Sequence, residues 1–398
     1  MSGHRLERSV DELLAQSRAV VGIEVADDDI VEPLTVLHHA LDKERAQLDA
    51  EGARAFEERI LRLLVNRLRM QRDLDRHPEI AQQPILGPVI VMGTARSGTT
   101  KLQKALAASG DFNVLTFWKS LNWASVSGTP NEAVESRIAE ADAFCHWFDQ
   151  RSPEAKLGHP FAALEPEEDG PLAEGCFVTS NFVGYAEVPG YAAWLGQQST
   201  TAEFAFLRSA MQYLQWQELA DASRPWLLKS PAYTSRELDV LEVFPDARFV
   251  MAHRSPLETL PSTCKLVGHF RKAYGTSTPD PLPLMAHAAA SIDAQLAIRR
   301  AHPDLPLLDL LFDDITDNLP AIVGRVYTHA GIPLRETARE EMVRWDEDNA
   351  MHKLGRFTYS LGEIGLDEAT VRTRMASSFE LLGMVEARRW QAAEERTT

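Results

Sequence analysis

The 398-residue sequence is poor in cysteine, in positive charge and in long apolar runs. Its three cysteines, Cys145, Cys176 and Cys264, are far apart and odd in number. They fit neither a disulfide framework nor a zinc site with paired ligand spacing, and a reducing compartment, the cytoplasm, is the natural expectation. Lys and Arg number 41 against 58 Asp and Glu, a formal charge of −17. Affinity for nucleic acid comes mainly from neutralising its phosphates, so no nucleic-acid partner is expected. The same balance argues against an electrostatic membrane anchor. No run reaches the roughly 18 apolar residues of a membrane span, and the opening MSGHRLERSVDELL mixes both charges without an apolar stretch. Neither an integral membrane segment nor a secretion signal is expected.

Hydrophobic residues at 44% and charged residues at 25% are ordinary globular values, which excludes wholesale disorder. The length exceeds the roughly 250–300 residues over which one core keeps growing, so one main domain with additions is expected. From Val31 to about Arg76, Leu34, Leu37, Leu41, Phe56, Ile60, Leu63, Leu64 and Leu68 recur at helical spacing. Gly52 and its neighbours are expected to separate two helices. This N-terminal helical segment, residues 1–80, reads as a cap on the main domain or as an oligomer contact, which leaves a homo-oligomer open. His38 and His39 are adjacent, and neighbours on a helix point in different directions. They read as solvated, and no metal site is expected.

Pro84 and Pro88 bracket a change of period, and Val89-Ile90-Val91-Met92 has the continuous apolar character of a strand buried on both faces. Trp226-Leu227-Leu228, Phe249 to Ala252 and Leu305 to Leu311 look similar. The first three are each followed by polar residues and a helical pattern. The fold class is therefore α/β: a P-loop-like central parallel sheet flanked by helices, with the N-terminal helical segment and a helical or irregular insertion. Residues 81–385 form the expected α/β domain, 118–225 its aromatic-rich insertion or lid and acceptor region, and 386–398 a charged tail. Ligands of such sheets collect at the carboxyl ends of the strands.

Directly after the first run comes Gly93-Thr94-Ala95-Arg96-Ser97-Gly98-Thr99-Thr100, and with Lys101 to Leu106 a helix begins. Glycines let the backbone wrap an anion, and the N–H groups and dipole at the helix start favour negative charge. The spacing of Gly93 and Gly98 matches the mononucleotide phosphate loop, yet Thr99 stands where that motif demands lysine. The fixed cation is Arg96. A donor with one phosphate and an adjacent transferable group suits this loop better than a triphosphate.

The loop resembles the 5′-phosphosulfate loop of sulfotransferases that use 3′-phosphoadenosine 5′-phosphosulfate (PAPS), in the Arg-Ser-Gly-Thr-Thr form of the bacterial branch. The similarity runs from about residue 80 to about residue 385. It implies that Arg96, Ser97, Gly98, Thr99 and Thr100 bind the phosphosulfate. In Phe249-Val250-Met251-Ala252-His253-Arg254, followed by Ser262, it implies that Arg254 and Ser262 hold the 3′-phosphate; a guanidinium offers parallel donors to phosphate. The competing reading pairs Arg254 with Glu258 on the helix surface. In Trp226-Leu227-Leu228-Lys229-Ser230-Pro231, Lys229 matches the lysine beside the transferring group. Lys353 and Arg356, in His352 to Leu361, match a C-terminal loop over the 3′-phosphate. Phe312 falls where relatives have a tyrosine near the adenine, so ring packing alone carries over.

Sulfuryl transfer resembles phosphoryl transfer, with much positioning and little covalent work for the protein. A base should accept the acceptor's proton. Relatives often carry Trp-Glu about twenty residues after the loop, but this chain has Trp118-Lys119. The remaining candidates lie in His159-Pro160 to Asp169, where Glu168 is favoured, His159 is the rival, and Glu167 is able to orient the imidazole or act alone. The resulting expectation is a PAPS-dependent sulfotransferase releasing adenosine 3′,5′-bisphosphate, with a small, lipophilic alcohol or phenol as acceptor. The alternatives are a magnesium-dependent P-loop kinase or NTPase using Asp313, and a nucleotide-binding protein that has lost catalysis.

Overall fold

A computed structural model of the chain describes residues 3–23, 28–44, 47–276, 278–349, 355 and 357–394. The chain divides into two compact units, each assembled from several stretches. One comprises residues 87–114, 224–265 and 280–398; the other comprises 1–86, 115–223 and 266–279.

The first unit holds a five-stranded parallel sheet. Its strands are β1 (Val89–Gly93), β2 (Asn113–Val114), β3 (Trp226–Lys229), β4 (Arg248–His253) and β5 (Leu307–Leu311), in the order β2-β3-β1-β4-β5. All five residues of β1 and all four of β3 are buried, as strands covered on both faces require. Val89, Val91, Val250 and Leu310 pack with Leu102, Leu106, Ile322 and Val326 from the flanking helices. Cutting a fully buried leucine such as Leu106 to alanine costs about 2–5 kcal/mol. The helix Leu319–Ala330 stops at Gly331, whose left-handed φ of 68° closes it.

The second unit is helical. Ser9 and Glu12 form a reciprocal capping box that starts the helix Val10–Val21. The helices Asp28–Lys43 and Ala50–Arg76 follow. Gly52 does not separate them: it lies in the first turn of the second, where its N–H donates to the Asp49 cap at 2.7 Å. A Cβ there would fall 2.0 Å from the Tyr274 carbonyl oxygen, so the glycine serves a close approach of two backbones. His39 is exposed, whereas His38 is half-buried and its Nε2 bonds the Arg8 carbonyl at 2.8 Å.

The N-terminal helices share this unit with residues 115–223. Arg59 and Glu174, both buried, form an ion pair between the two stretches. Among the described residues, no helix is long and apolar enough to cross a membrane.

Candidate active site

The chain leaves β1 at Gly93 and turns into the helix Thr99–Ala108. Ser97 N–H donates to the Thr94 carbonyl at 3.2 Å, and Arg96 adopts a left-handed φ of 73°. Gly98, at φ 95°, is the N-cap and supplies no side-chain cap. The first N–H groups of a helix lack intrahelical acceptors, so this end is built to meet an anion. A Cβ on Gly98 would sit 3.1 Å from the Phe312 ring, in a conformation that L side chains rarely adopt. Ser97 is fully buried, and its hydroxyl has no hydrogen-bond partner among the described residues. An orphaned hydroxyl inside a loop of this shape fits a bound phosphate or sulfate oxygen.

Three strand ends bring cations to the loop. Lys229 ends β3, which pairs with β1 in the register Val91 to Lys229. It is 1% exposed, and its Nζ donates to Thr100 Oγ1 at 3.2 Å, so it reaches the first turn of the loop helix. Arg96 Nε donates to Ser262 Oγ at 3.0 Å. Arg254, just after β4, donates through Nη1 to the Arg96 carbonyl at 3.3 Å. The same guanidinium grips Glu258 through Nε at 3.2 Å and Nη2 at 2.8 Å. The surface pair weighed from the sequence therefore exists, and it occupies the Nε–Nη2 edge of Arg254.

Phe312 lies 4.0 Å from the Arg254 guanidinium, measured at the ring centroid. Its ring thus stacks on the cation and backs onto Gly98. Lys353 and Arg356 lie outside the described residues. Their neighbour Phe357 is 5.5 Å from the Arg96 guanidinium and 5.6 Å from Lys265 Nζ. Lys265 also donates to the Thr358 carbonyl at 2.6 Å. The sequence reading missed this lysine. Its place three residues after Ser262, on one face of the same helix, was the available signal.

In the helical unit, residues 115–118 pair with 163–167. Phe117 N–H donates to Glu165 O at 3.0 Å, Trp118 N–H to Ala163 O at 3.0 Å, and Glu167 N–H to Leu115 O at 2.8 Å. This strap presents Glu167 to His159, whose Nε2 lies 3.0 and 3.2 Å from the two carboxylate oxygens. Glu167 also accepts the Glu168 N–H at 2.8 Å. One donor atom from each of His159, Glu167 and Glu168 lies within 4.8 Å of the others. The two side chains of the imidazole–carboxylate pair are 11% and 7% exposed. A carboxylate so placed fixes the tautomer and orientation of an imidazole. Lys119 donates to the Leu219 carbonyl at 2.6 Å, and burial lowers its pKa to about 8. Asp313 is exposed in the helix Phe312–Asp317.

A strand, a glycine-capped loop, a bare helix start and cations from neighbouring strand ends define an α/β protein whose loop is built to meet an anion. Residues 88–336 match the model of the sulfotransferase family, and the chain belongs to that family. It is similar to the crystal structure of sulfotransferase STF1 from Mycobacterium tuberculosis H37Rv, with 26% identity and a TM-score of 0.77 over 94% of this chain and 100% of that one. It shares its fold with sulfotransferase STF9 from Mycobacterium avium, with 21% identity and a TM-score of 0.80 over 94% and 96% of the two chains. No curated protein matches the chain by sequence. Family membership places sulfuryl transfer ahead of the kinase alternative.

Proposed function

We propose that the protein transfers a sulfuryl group from PAPS to the hydroxyl of a small, lipophilic alcohol or phenol. The observation that carries this reading is the joining of Arg96, Arg254 and Ser262 around a loop in which Thr99 replaces the triphosphate-binding lysine. PAPS supplies the sulfuryl group: the acceptor oxygen bonds to sulfur as the bond from sulfur to the phosphate oxygen breaks, and adenosine 3′,5′-bisphosphate leaves.

The N–H groups from Gly98 to Thr100, the Ser97 hydroxyl and the Arg96 side chain are assigned to the 5′ end of the nucleotide. Arg254 and Ser262, with Lys353 and Arg356, are assigned to its 3′-phosphate, and Phe312 to packing near the adenine. Lys229, held by Thr100 next to the loop, is assigned to the charge that grows on the departing oxygen. His159 is assigned the acceptor's proton, with Glu167 orienting the ring and Glu168 as the second candidate base.

The test is calorimetric binding of adenosine 3′,5′-bisphosphate against ADP with magnesium, followed by transfer from PAPS to a panel of phenols. Tight bisphosphate binding with turnover is expected. Preference for ADP with magnesium would refute the reading, and bisphosphate binding without turnover would favour a protein that has lost catalysis.

A further inference from the structure

The helix Ala50–Arg76 presents Arg59 and Arg62 three residues apart, and among the described residues only the first has a carboxylate in an ion pair. Arg59 grips Glu174 through its Nε at 2.7 Å and through Nη2, and its Nη1 donates to Tyr274 Oη at 2.8 Å. Asn181 Nδ2 also donates to Glu174, so that carboxylate is fully engaged. Arg62 Nε and Nη2 are shielded from solvent and have no hydrogen-bond partner among the described residues. These two nitrogens form the same edge with which Arg59 holds Glu174. Burial and the charge of Arg59 lower the pKa of Arg62 to about 10, which leaves it cationic at neutral pH. Glu140 and Glu174 act on it only at longer range. Two guanidinium N–H donors kept from water without an acceptor are costly unless an anion meets them.

The surroundings say what else such an anion carries. The Arg62 guanidinium lies 5.8 Å from the Phe144 centroid, and Phe144 meets Phe161 edge-on at 6.4 Å. Phe161 in turn lies 4.9 Å from the His159 ring. Phe144, Phe161 and Phe270 are partly exposed, and this chain of ring contacts links Arg62 to the imidazole.

We propose that Arg62 anchors a carboxylate on the acceptor, which is therefore an amphiphilic hydroxy acid: hydroxyl toward His159, apolar body on Phe161 and Phe144, carboxylate on Arg62 Nε and Nη2. A carboxylate matches a two-nitrogen edge with parallel hydrogen bonds. The proposal rests on the sulfuryl-transfer reading and narrows its acceptor class.

The test compares 3-(4-hydroxyphenyl)propanoate with its amide, in the wild type and in Arg62→Met and Arg62→Lys. The wild type is expected to use the acid about tenfold better in kcat/KM, because bonds to charged groups are the stronger ones. In Arg62→Met the ratio of acid to amide should fall to near one, through KM. Arg62→Lys should keep part of the preference. A second readout needs no turnover: the propanoate should raise the melting temperature of wild type and leave that of Arg62→Met unmoved. Equal use of acid and amide by the wild type, or a preference that survives in Arg62→Met, would overturn the anchor. If bisphosphate fails to bind, the sulfuryl-transfer reading falls by itself, and the melting shift still decides the role of Arg62.

Discussion

Arg96 Nε donates to Ser262 Oγ at 3.0 Å, tying the loop after β1 to the helix that follows β4. The two residues were assigned to opposite ends of the nucleotide, and the bond makes them one unit. A phosphate that engages both exchanges a neutral acceptor for a charged one. Ser262→Ala should therefore weaken adenosine 3′,5′-bisphosphate by about fivefold to tenfold, the worth of one ordinary hydrogen bond. The loss should be smaller in an Arg96→Ala background, because partners in one network are not additive. Calorimetry on the four proteins of this cycle measures it, and strictly additive losses would show that the two side chains act apart.

Arg254 holds Glu258 with two nitrogens, while the Glu258 side chain is half exposed. Such pairs contribute at most about 1 kcal/mol, so a phosphate should displace Glu258 at little cost. Arg254→Ala should lower affinity for adenosine 3′,5′-bisphosphate by roughly tenfold to a hundredfold and leave adenosine 5′-phosphosulfate, which lacks the 3′-phosphate, almost unaffected. Glu258→Gln should tighten the bisphosphate by a few-fold, since the competing carboxylate is gone. An equal loss for both nucleotides in Arg254→Ala would contradict the 3′ assignment.

Much of the sheet was legible because β1 and β4 are buried on both faces, where an unbroken apolar run is itself the signal. β2 carries no run. Its two residues join the sheet because Asn113 donates through its N–H to Pro225 O and through its side chain to Arg224 O, both at 2.9 Å and both remote in sequence. Arg96, Lys229 and Arg254 were readable from their places at strand ends. Lys265 carried only the weaker mark of its place three residues after Ser262, since its partners Phe357 and Thr358 arrive from a distant loop. No sequence pattern marks Arg62, and only the packing of Glu174 against Arg59 exposes its isolation.

The order of preference among the candidate bases changes with the strap that pairs residues 115–118 with 163–167. It gives Glu167 to His159 at 3.0 Å, a pairing the sequence offered without deciding it, because the choice depends on long-range backbone hydrogen bonds. With His159 as base and Glu167 as its orienting partner, His159→Ala should lower kcat by about a hundredfold or more. Glu167→Gln should lower kcat less and add little once His159 is absent, as members of one catalytic unit do. Glu168→Gln should then be the mildest of the three. Single-turnover rates for the three variants and the double variant check this, and a largest effect at Glu168 would return that residue to first place.

Glu237, the first residue of the helix Glu237–Val243, is fully buried. Burial pushes its carboxyl from 4.5 up to about 7, against the pull of nearby N–H groups, the Arg299 charge and Gln295. The folded protein therefore keeps a proton that the unfolded chain releases between these two values. The stability linked to this group is complete below 4.5, declines as pH rises through that interval, and is lost above about 7. Glu237→Gln removes the titration and keeps the shape. Its melting temperature relative to wild type should rise across that interval and level off above it. Asp309 does not interfere: burial alone would raise its pKa, but the hydrogen bonds and charges of Arg299 and His253 hold it far below the usual range. Melting curves of both proteins from about pH 4.5 to 8.5 isolate the effect. A difference that stays constant with pH would mean that Glu237 remains ionised in the fold.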